Sequence, residues 1–180
     1  MKQIIHRGIW LFMTLLFVVT GLGVGLYAFW VNTHPSAQSD VIKCAKGAKE
    51  PNQQPLNGKV KGAKLADFKP PQKVPYLTCT DYKAGTGATI SSTSATVSVQ
   101  YVGALASNGV IFDDSFDGGQ PLSIQLSQVI QGWSNGLQGM KVGGMRRLFI
   151  PSQYGYGPQG QNGIPANADL VFDVKLLSVK

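Results

Sequence analysis

Three stretches in the C-terminal half alternate apolar and polar side chains, the first with period two and the other two nearly so. They are Ala95-Thr96-Val97-Ser98-Val99-Gln100-Tyr101-Val102, Gly143-Gly144-Met145-Arg146-Arg147-Leu148-Phe149-Ile150 and Leu170-Val171-Phe172-Asp173-Val174-Lys175-Leu176. Such alternation sends successive side chains to opposite sheet faces and predicts β-strands. A different spacing occurs at about 127–137. There Val129, Ile130, Trp133 and Leu137 stand at i, i+1, i+4 and i+8, one face of a short α-helix. Many antiparallel strands with one helix make an α+β arrangement, the helix packed on one sheet face. The folded domain is accordingly expected at 76–180.

Upstream the pattern changes twice. Residues 9–31 contain no charged side chain. At 1.5 Å per residue such a run spans roughly 35 Å, enough to cross a bilayer core of about 30 Å. Trp10 stands near one end and Tyr27, Phe29 and Trp30 near the other, where amphipathic rings suit the headgroup zones. Lys2 and Arg7 precede the run and predict a cytoplasmic N-terminus, residues 1–8. A cleaved signal peptide would have a core of about 7–15 residues and a small-x-small site. This core is longer, ends in Tyr27-Ala28-Phe29-Trp30-Val31, and is followed by Pro35-Ser36-Ala37, a poor cleavage site. An uncleaved single-pass anchor is the expectation, with the rest of the chain outside the cytoplasm. Gly21 and Gly25 form a GxxxG spacing, a dimerisation face in some membrane helices, although glycine is common in such helices anyway. From 32 to 75 the chain holds Pro35, Pro51, Pro55, Pro70, Pro71 and Pro75 among Gly, Gln and Lys, with no sustained apolar period. This predicts an extended, solvated tether.

Charge sharpens the division. The formal net charge is +7, of which residues 1–31 carry +2, residues 32–75 carry +5 and residues 76–180 none. The basic excess thus belongs to tail and tether, which argues against nucleic acid as a partner of the domain. Both histidines, His6 and His34, precede the domain. That excludes Ser-His and Cys-His nucleophilic chemistry and histidine metal sites from the folded part. Cys44 and Cys79 are too few for a zinc site and too far apart for a CxxC motif. Outside the cytoplasm thiols oxidise, so a Cys44–Cys79 disulfide clamping the tether onto the first strand is one expectation. Two free, unrelated thiols are the other.

Chemistry concentrates in Val129-Ile130-Gln131-Gly132-Trp133, an aromatic set behind a glycine and two β-branched residues. Upstream stand Tyr101-Val102-Gly103-Ala104-Leu105 and Gly109-Val110-Ile111-Phe112-Asp113-Asp114-Ser115. Downstream follow Gly136, Met140, Val142-Gly143, Tyr154-Gly155-Tyr156-Gly157, Ile164-Pro165-Ala166-Asn167 and 170–177. In order and spacing, over about 75–180, this set closely resembles the FKBP-type peptidyl-prolyl cis/trans isomerases.

The resemblance implies a curved antiparallel β-sheet wrapped around one short α-helix, with a pocket between them. It implies catalytic roles for Tyr101, Asp113, Trp133, Tyr156 and Phe172, and substrate-binding roles for Phe112, Leu122, Val129, Ile130 and Ile164. Trp133 would be the floor under a proline ring, with Tyr101, Phe112 and Phe172 as walls and Asp113 at the rim. The Ile130 N–H and the Tyr156 hydroxyl would donate to the carbonyls of the bound peptide, and Gly157 with the loop 158–166 would flap over it. Two positions depart from the family pattern. Leu122 stands where an aromatic is common. Gly118 stands where many relatives carry an Arg that pairs with the pocket Asp, which leaves Asp113 less firmly oriented beside Asp114. The resemblance implies no cofactor and no metal. Its implied partners are proline-containing proteins still folding outside the cytoplasm, with macrolide inhibitors as further ligands. The rival expectation is a non-catalytic module of the same fold that docks a proline-bearing partner at the membrane.

Overall fold

The computed structural model describes residues 42–51, 60–161 and 163–180. The segments expected as cytoplasmic tail and membrane anchor lie outside them. Among the described residues no helix is long and apolar enough to cross a membrane.

The three alternating stretches form the strands that the pattern predicts. β3 (Thr96–Leu105), β6 (Met145–Ile150) and β7 (Leu170–Val179) are joined by β1 (Ala45–Lys46), β2 (Thr78–Lys83), β4 (Ile111–Asp114) and β5 (Leu122–Gln125). Their order is β1-β2-β6-β7-β3-β4, and β5 also pairs with β3. The first half of β3 pairs with β5 through Val97 opposite Ile124, and its second half with β4 through Gly103 opposite Asp113. β3 thereby brings two stretches that flank one loop to the same sheet edge.

The sheet is mixed rather than wholly antiparallel, because β1 pairs with β2 in parallel. A parallel pair requires a long connection, and the chain between Lys46 and Thr78 supplies it. The pairing lies beside the Cys44–Cys79 disulfide, whose Cα atoms are 4.6 Å apart. With a sequence separation of 35, the bond constrains the unfolded chain by roughly 3–4 kcal/mol in the loop-entropy account.

The predicted helix at 127–137 is not continuous. Leu126–Gln128 form a single 3-10 turn, Val129 and Ile130 are extended, and α1 runs only over Gln131–Gly136. Two adjacent β-branched residues favour extended backbone, so Ile130, with φ −56° and ψ 148°, caps the helix instead of lying in it. Glycine lets α1 lie directly on β6. A Cβ at Gly132 would run into Ile150, and one at Gly136 would lie 2.8 Å from Leu148 Cδ2.

The larger departure concerns the tether. The folded unit runs Val41–Lys180, not from 76. Residues 60–74 cover the sheet face opposite α1. Val60 and Leu65 are buried there with Val102, Ala104, Ile111 and Val171, and Phe68, Phe116 and Phe149 pack around them. Backbone bonds join this segment to the outer edge of β4: Gly62 N–H to Ile111 O at 2.8 Å, Ile111 N–H to Ala63 O at 2.9 Å, and Leu65 N–H to Gly109 O at 2.8 Å. β3 records the consequence. Its residues alternate in burial up to Gln100 and are buried without interruption from Tyr101 to Ala104, where both sheet faces are covered.

Under this layer lies a buried ion pair. Arg147 and Asp173 are cross-strand partners on β6 and β7. The guanidinium donates twice, Nε to Oδ1 at 2.6 Å and NH2 to Oδ2 at 2.7 Å. Phe68 and Tyr82 present their rings to it at 5.7 and 5.6 Å. Burial works against the Arg147 charge, but the bonded Asp173 carboxylate outweighs it and raises the arginine pKa.

Candidate active site

Four aromatic side chains converge from four elements. Trp133 of α1 meets Tyr101 of β3 at 5.2 Å between ring centroids and Phe172 of β7 at 5.3 Å, both nearly perpendicular at 86°. Phe172 meets Phe112 of β4 at 5.7 Å, also at 86°. Edge-to-face contacts of this kind set the positive rim of one ring against the negative face of the next. They fix the rings relative to one another as well as burying them.

Gly103 makes the convergence possible. It lies opposite Phe172 on one side and Asp113 on the other. A Cβ there would fall 2.5 Å from Phe172 Cε1 and 3.1 Å from Phe112 Cζ. Sequence reading placed Gly103 in the motif without giving it this role.

Trp133 is 4% exposed. Its Nε1 is the one buried side-chain nitrogen or oxygen among the described residues without a hydrogen-bond partner. The floor therefore offers no oxygen even to the indole N–H. Leu122, Val129, Ile130 and Tyr156 are half-buried against the cluster that holds Tyr101, Phe112, Trp133, Ile164 and Phe172. Nine of the ten expected site residues thus share one apolar cluster, and Asp113 joins them through Tyr101, whose hydroxyl donates to Asp113 Oδ2 at 2.6 Å.

That bond gives the exposed Asp113 an orienting partner that sequence reading did not find. Asp114 also has its own work. Its Oδ1 accepts the N–H groups of Phe116 and Asp117, both at 2.7 Å, and so caps the turn after β4. Ser115 clips the strands together here. Its Oγ accepts the Tyr101 N–H at 2.9 Å, and its own N–H donates to Tyr101 O at 3.1 Å. The run Asp114-Ser115-Phe116-Asp117-Gly118-Gly119 has turn chemistry, which is the signal that could have revealed these bonds. At Gly118 a Cβ would meet nothing within 4 Å, so that rim position is open.

Ile130 stands at the N-terminus of α1. As the helix cap its carbonyl accepts from Trp133 at 2.9 Å and Ser134 at 3.2 Å, while its own N–H precedes the helical ladder. Downstream, the 3-10 turn Ser152–Tyr154 leads into Tyr156. The loop beyond is closed at its neck by the Asn167 N–H bond to Gly157 O at 2.9 Å, and Gln161 and Ile164 bond each other across it.

The two tyrosine hydroxyls hold their protons. Burial, then the hydrogen bond to Asp113, pushes Tyr101 well above its ordinary value of 10.0. Burial, then the Asp113 charge, raises Tyr156. For Tyr101 the consequence is measurable. Below pH 10 it is protonated in folded and unfolded chains alike; above it the unfolded chain loses the proton first, so the stability this group contributes falls as pH rises toward the folded value. The stability difference between wild type and Tyr101→Phe should stay constant from about pH 8 to 10 and shrink above that. Urea titrations across this range check it, and a difference that grows above pH 10 contradicts the assignment.

A short helix seated on a sheet, with four aromatic rings gathered where the two meet, defines the fold and the candidate site. A sequence model described as FKBP-type peptidyl-prolyl cis-trans isomerase matches residues 87–177. The chain belongs to that family.

FK506-binding protein 4 of Chaetomium thermophilum is 46% identical over 121 residues, covering 64% of this chain and 24% of that protein. The FKBP-type peptidyl-prolyl cis-trans isomerase FkpA of Aeromonas hydrophila is 48% identical over 98 residues, 54% of this chain and 36% of its own. The crystal structure of FkpA from Escherichia coli aligns with a TM-score of 0.55 at 46% identity, over 58% of this chain and 48% of that one. The chain therefore spans well under half the length of the curated relatives it matches here.

Proposed function

We propose that this chain isomerises X–Pro bonds in polypeptides that fold outside the cytoplasm, working from a membrane anchor. The perpendicular aromatic cluster over Trp133 carries the reading, because the chemistry asks for an apolar, shaped site and little else. Rotation about an X–Pro amide faces a barrier of about 18–20 kcal/mol and takes tens to hundreds of seconds unaided. No bond is broken, so neither nucleophile nor general base is needed. The planar amide is a resonance dipole that water solvates well. The twisted amide has lost that resonance. A pocket walled by Tyr101, Phe112, Trp133 and Phe172 solvates the planar form poorly and accommodates the twisted one, which lowers the barrier. A thousandfold to millionfold acceleration requires only about 4–8 kcal/mol.

In this reading the Ile130 N–H and the Tyr156 hydroxyl hold the carbonyls on either side of the rotating bond. Tyr156 keeps its proton because of burial and the Asp113 charge, which suits a donor. Leu122, Val129 and Ile164 complete the apolar wall. Macrolides would compete for the same floor, by analogy with the relative named for binding FK506.

The anchor rests on residues 9–31 with Lys2 and Arg7 before them, and the Cys44–Cys79 disulfide agrees with an oxidising compartment. Digestion of the domain by protease added to spheroplasts tests that placement; protection would contradict it.

A protease-coupled isomerisation assay on the full-length chain tests the activity. The wild type should exceed the uncatalysed rate, and Tyr156→Phe should lower kcat/KM by about tenfold, the worth of one hydrogen bond. A wild-type rate equal to background removes the enzymatic reading and leaves a proline-binding module.

A further inference from the structure

We propose that residues 60–74 are a positioning strap for both walls of the pocket, acting through Asp117 and Asp169. The proposal rests on the isomerase reading and adds a segment and two carboxylates to it.

The strap lies behind the pocket, on the sheet face opposite α1, and its contacts reach round to the rim at two points. At its front end the Val60 N–H donates to Asp117 Oδ1 at 2.9 Å. Asp117 belongs to the loop between β4 and β5. That loop begins after Phe112 and Asp113 and ends at Leu122, so it joins two parts of one pocket wall. The turn in this loop is already capped by Asp114, which takes the N–H groups of Phe116 and Asp117. The Asp117 carboxylate is therefore spare for a partner 57 positions away in the chain. Phe116, in the same loop, packs against the apolar layer that Val60 and Leu65 form.

At its back end the Val74 N–H donates to Asp169 Oδ2 at 3.3 Å. The other oxygen, Oδ1, accepts the Ser152 N–H at 2.9 Å. Ser152 opens the 3-10 turn that leads to Tyr156, and its carbonyl accepts the N–H groups of Gly155 and Gly157, both at 2.9 Å. One carboxylate thus joins the strap to the backbone on either side of Tyr156.

Between these ends the strap is registered rather than merely draped. Three backbone bonds tie it to Gly109 and Ile111. Phe68 fills the space over Gly109, where a Cβ would lie 2.8 Å from its ring. The wall carrying Phe112 and Asp113 and the wall carrying Tyr156 are consequently held against one element that touches neither the floor nor the place of the proline ring. Errors of about 1 Å in placing a substrate are costly to rate, so an element that sets wall separation sets which residues before proline are accepted.

The test uses the full-length chain, with proline tetrapeptides that differ in the residue before proline, and the exposed Asp117. Asp117→Ala removes the acceptor; Asp117→Asn keeps an oxygen able to accept the Val60 N–H. Asp117→Ala should raise KM about threefold to tenfold, unevenly across the peptides, with kcat within about twofold, and Asp117→Asn should restore the wild-type pattern. Hydrogen exchange at the amides of residues 116–119 should quicken in the alanine variant alone. Equal behaviour of the two variants, or unchanged exchange in Asp117→Ala, overturns the strap. If the wild type has no isomerase activity, the isomerase reading falls, and the exchange measurement still decides the strap.

Discussion

Replacement of Asp173 by alanine is expected to destabilise the protein by about 3–5 kcal/mol, the cost of leaving one buried partner of an ion pair alone. Asp173 is fully buried and Arg147 is 4% exposed. Both polar contacts of the guanidinium with Asp173 would vanish, while Phe68 and Tyr82 still close over it. The arginine would have to keep an uncompensated charge or force the covering layer open to reach water. Either route undoes packing between residues 60–74 and the sheet. Urea unfolding measures the effect as a lowered midpoint. The double variant Arg147→Met/Asp173→Leu separates charge from volume, since well-packed apolar replacements of buried pairs are often neutral or stabilising. A loss under about 1 kcal/mol for Asp173→Ala would show that the charge finds solvent without disturbing the fold.

The second large effect is on activity. Trp133→Ala is expected to lower kcat/KM by about a hundredfold or more, the equivalent of about 2.7 kcal/mol of transition-state stabilisation. The indole is the common neighbour of Tyr101 and Phe172. In the proposed function its loss removes the floor under the proline ring, and it frees both neighbours to rotate. The same change should cost about 3–5 kcal/mol in stability through the cavity it opens, so rates must be normalised to the folded fraction. Trp133→Phe keeps an aromatic floor at smaller volume and should retain more of both activity and stability. An alanine variant that stays folded and turns over as fast as the wild type would remove Trp133 from the mechanism.

Much of the candidate site was legible in the chain because its residues are carried by regular strands and by one tight motif. Alternation placed Tyr101 and Phe172 on strands that pair side by side and turn the same sheet face toward α1. The order of motifs then put Phe112, Trp133, Tyr156 and Ile164 around them, and the structure brings all of these together. What the pattern could not convey is how the chain behaves between the regular stretches. Helical spacing extended α1 back through Val129 and Ile130, because an i, i+1, i+4 pattern does not distinguish a helical turn from an extended cap. The observed break turns Ile130 into the residue whose N–H is left out of the helix. Asp113 looked loosely held because the family's arginine position is Gly118; its partner is Tyr101, whose reach depends on the pairing of β3 with β4.

Residues 60–74 mark the boundary most clearly. Their apolar members, Val60, Leu65, Phe68 and Val74, have neither period two nor period 3.6, because the segment lies across a sheet face and along an edge instead of forming a regular element. Their partners Val102, Ala104 and Val171 face away from α1, where alternation alone predicts solvent-facing side chains. Sequence alone determined the strands and the aromatic set, since these follow from local spacing and residue type. Tertiary structure alone decided that the second sheet face is covered, that Arg147 and Asp173 pair beneath the cover, and that Asp117 and Asp169 reach the chain that covers it. Those features depend on contacts between positions far apart in sequence, and no local pattern carries them.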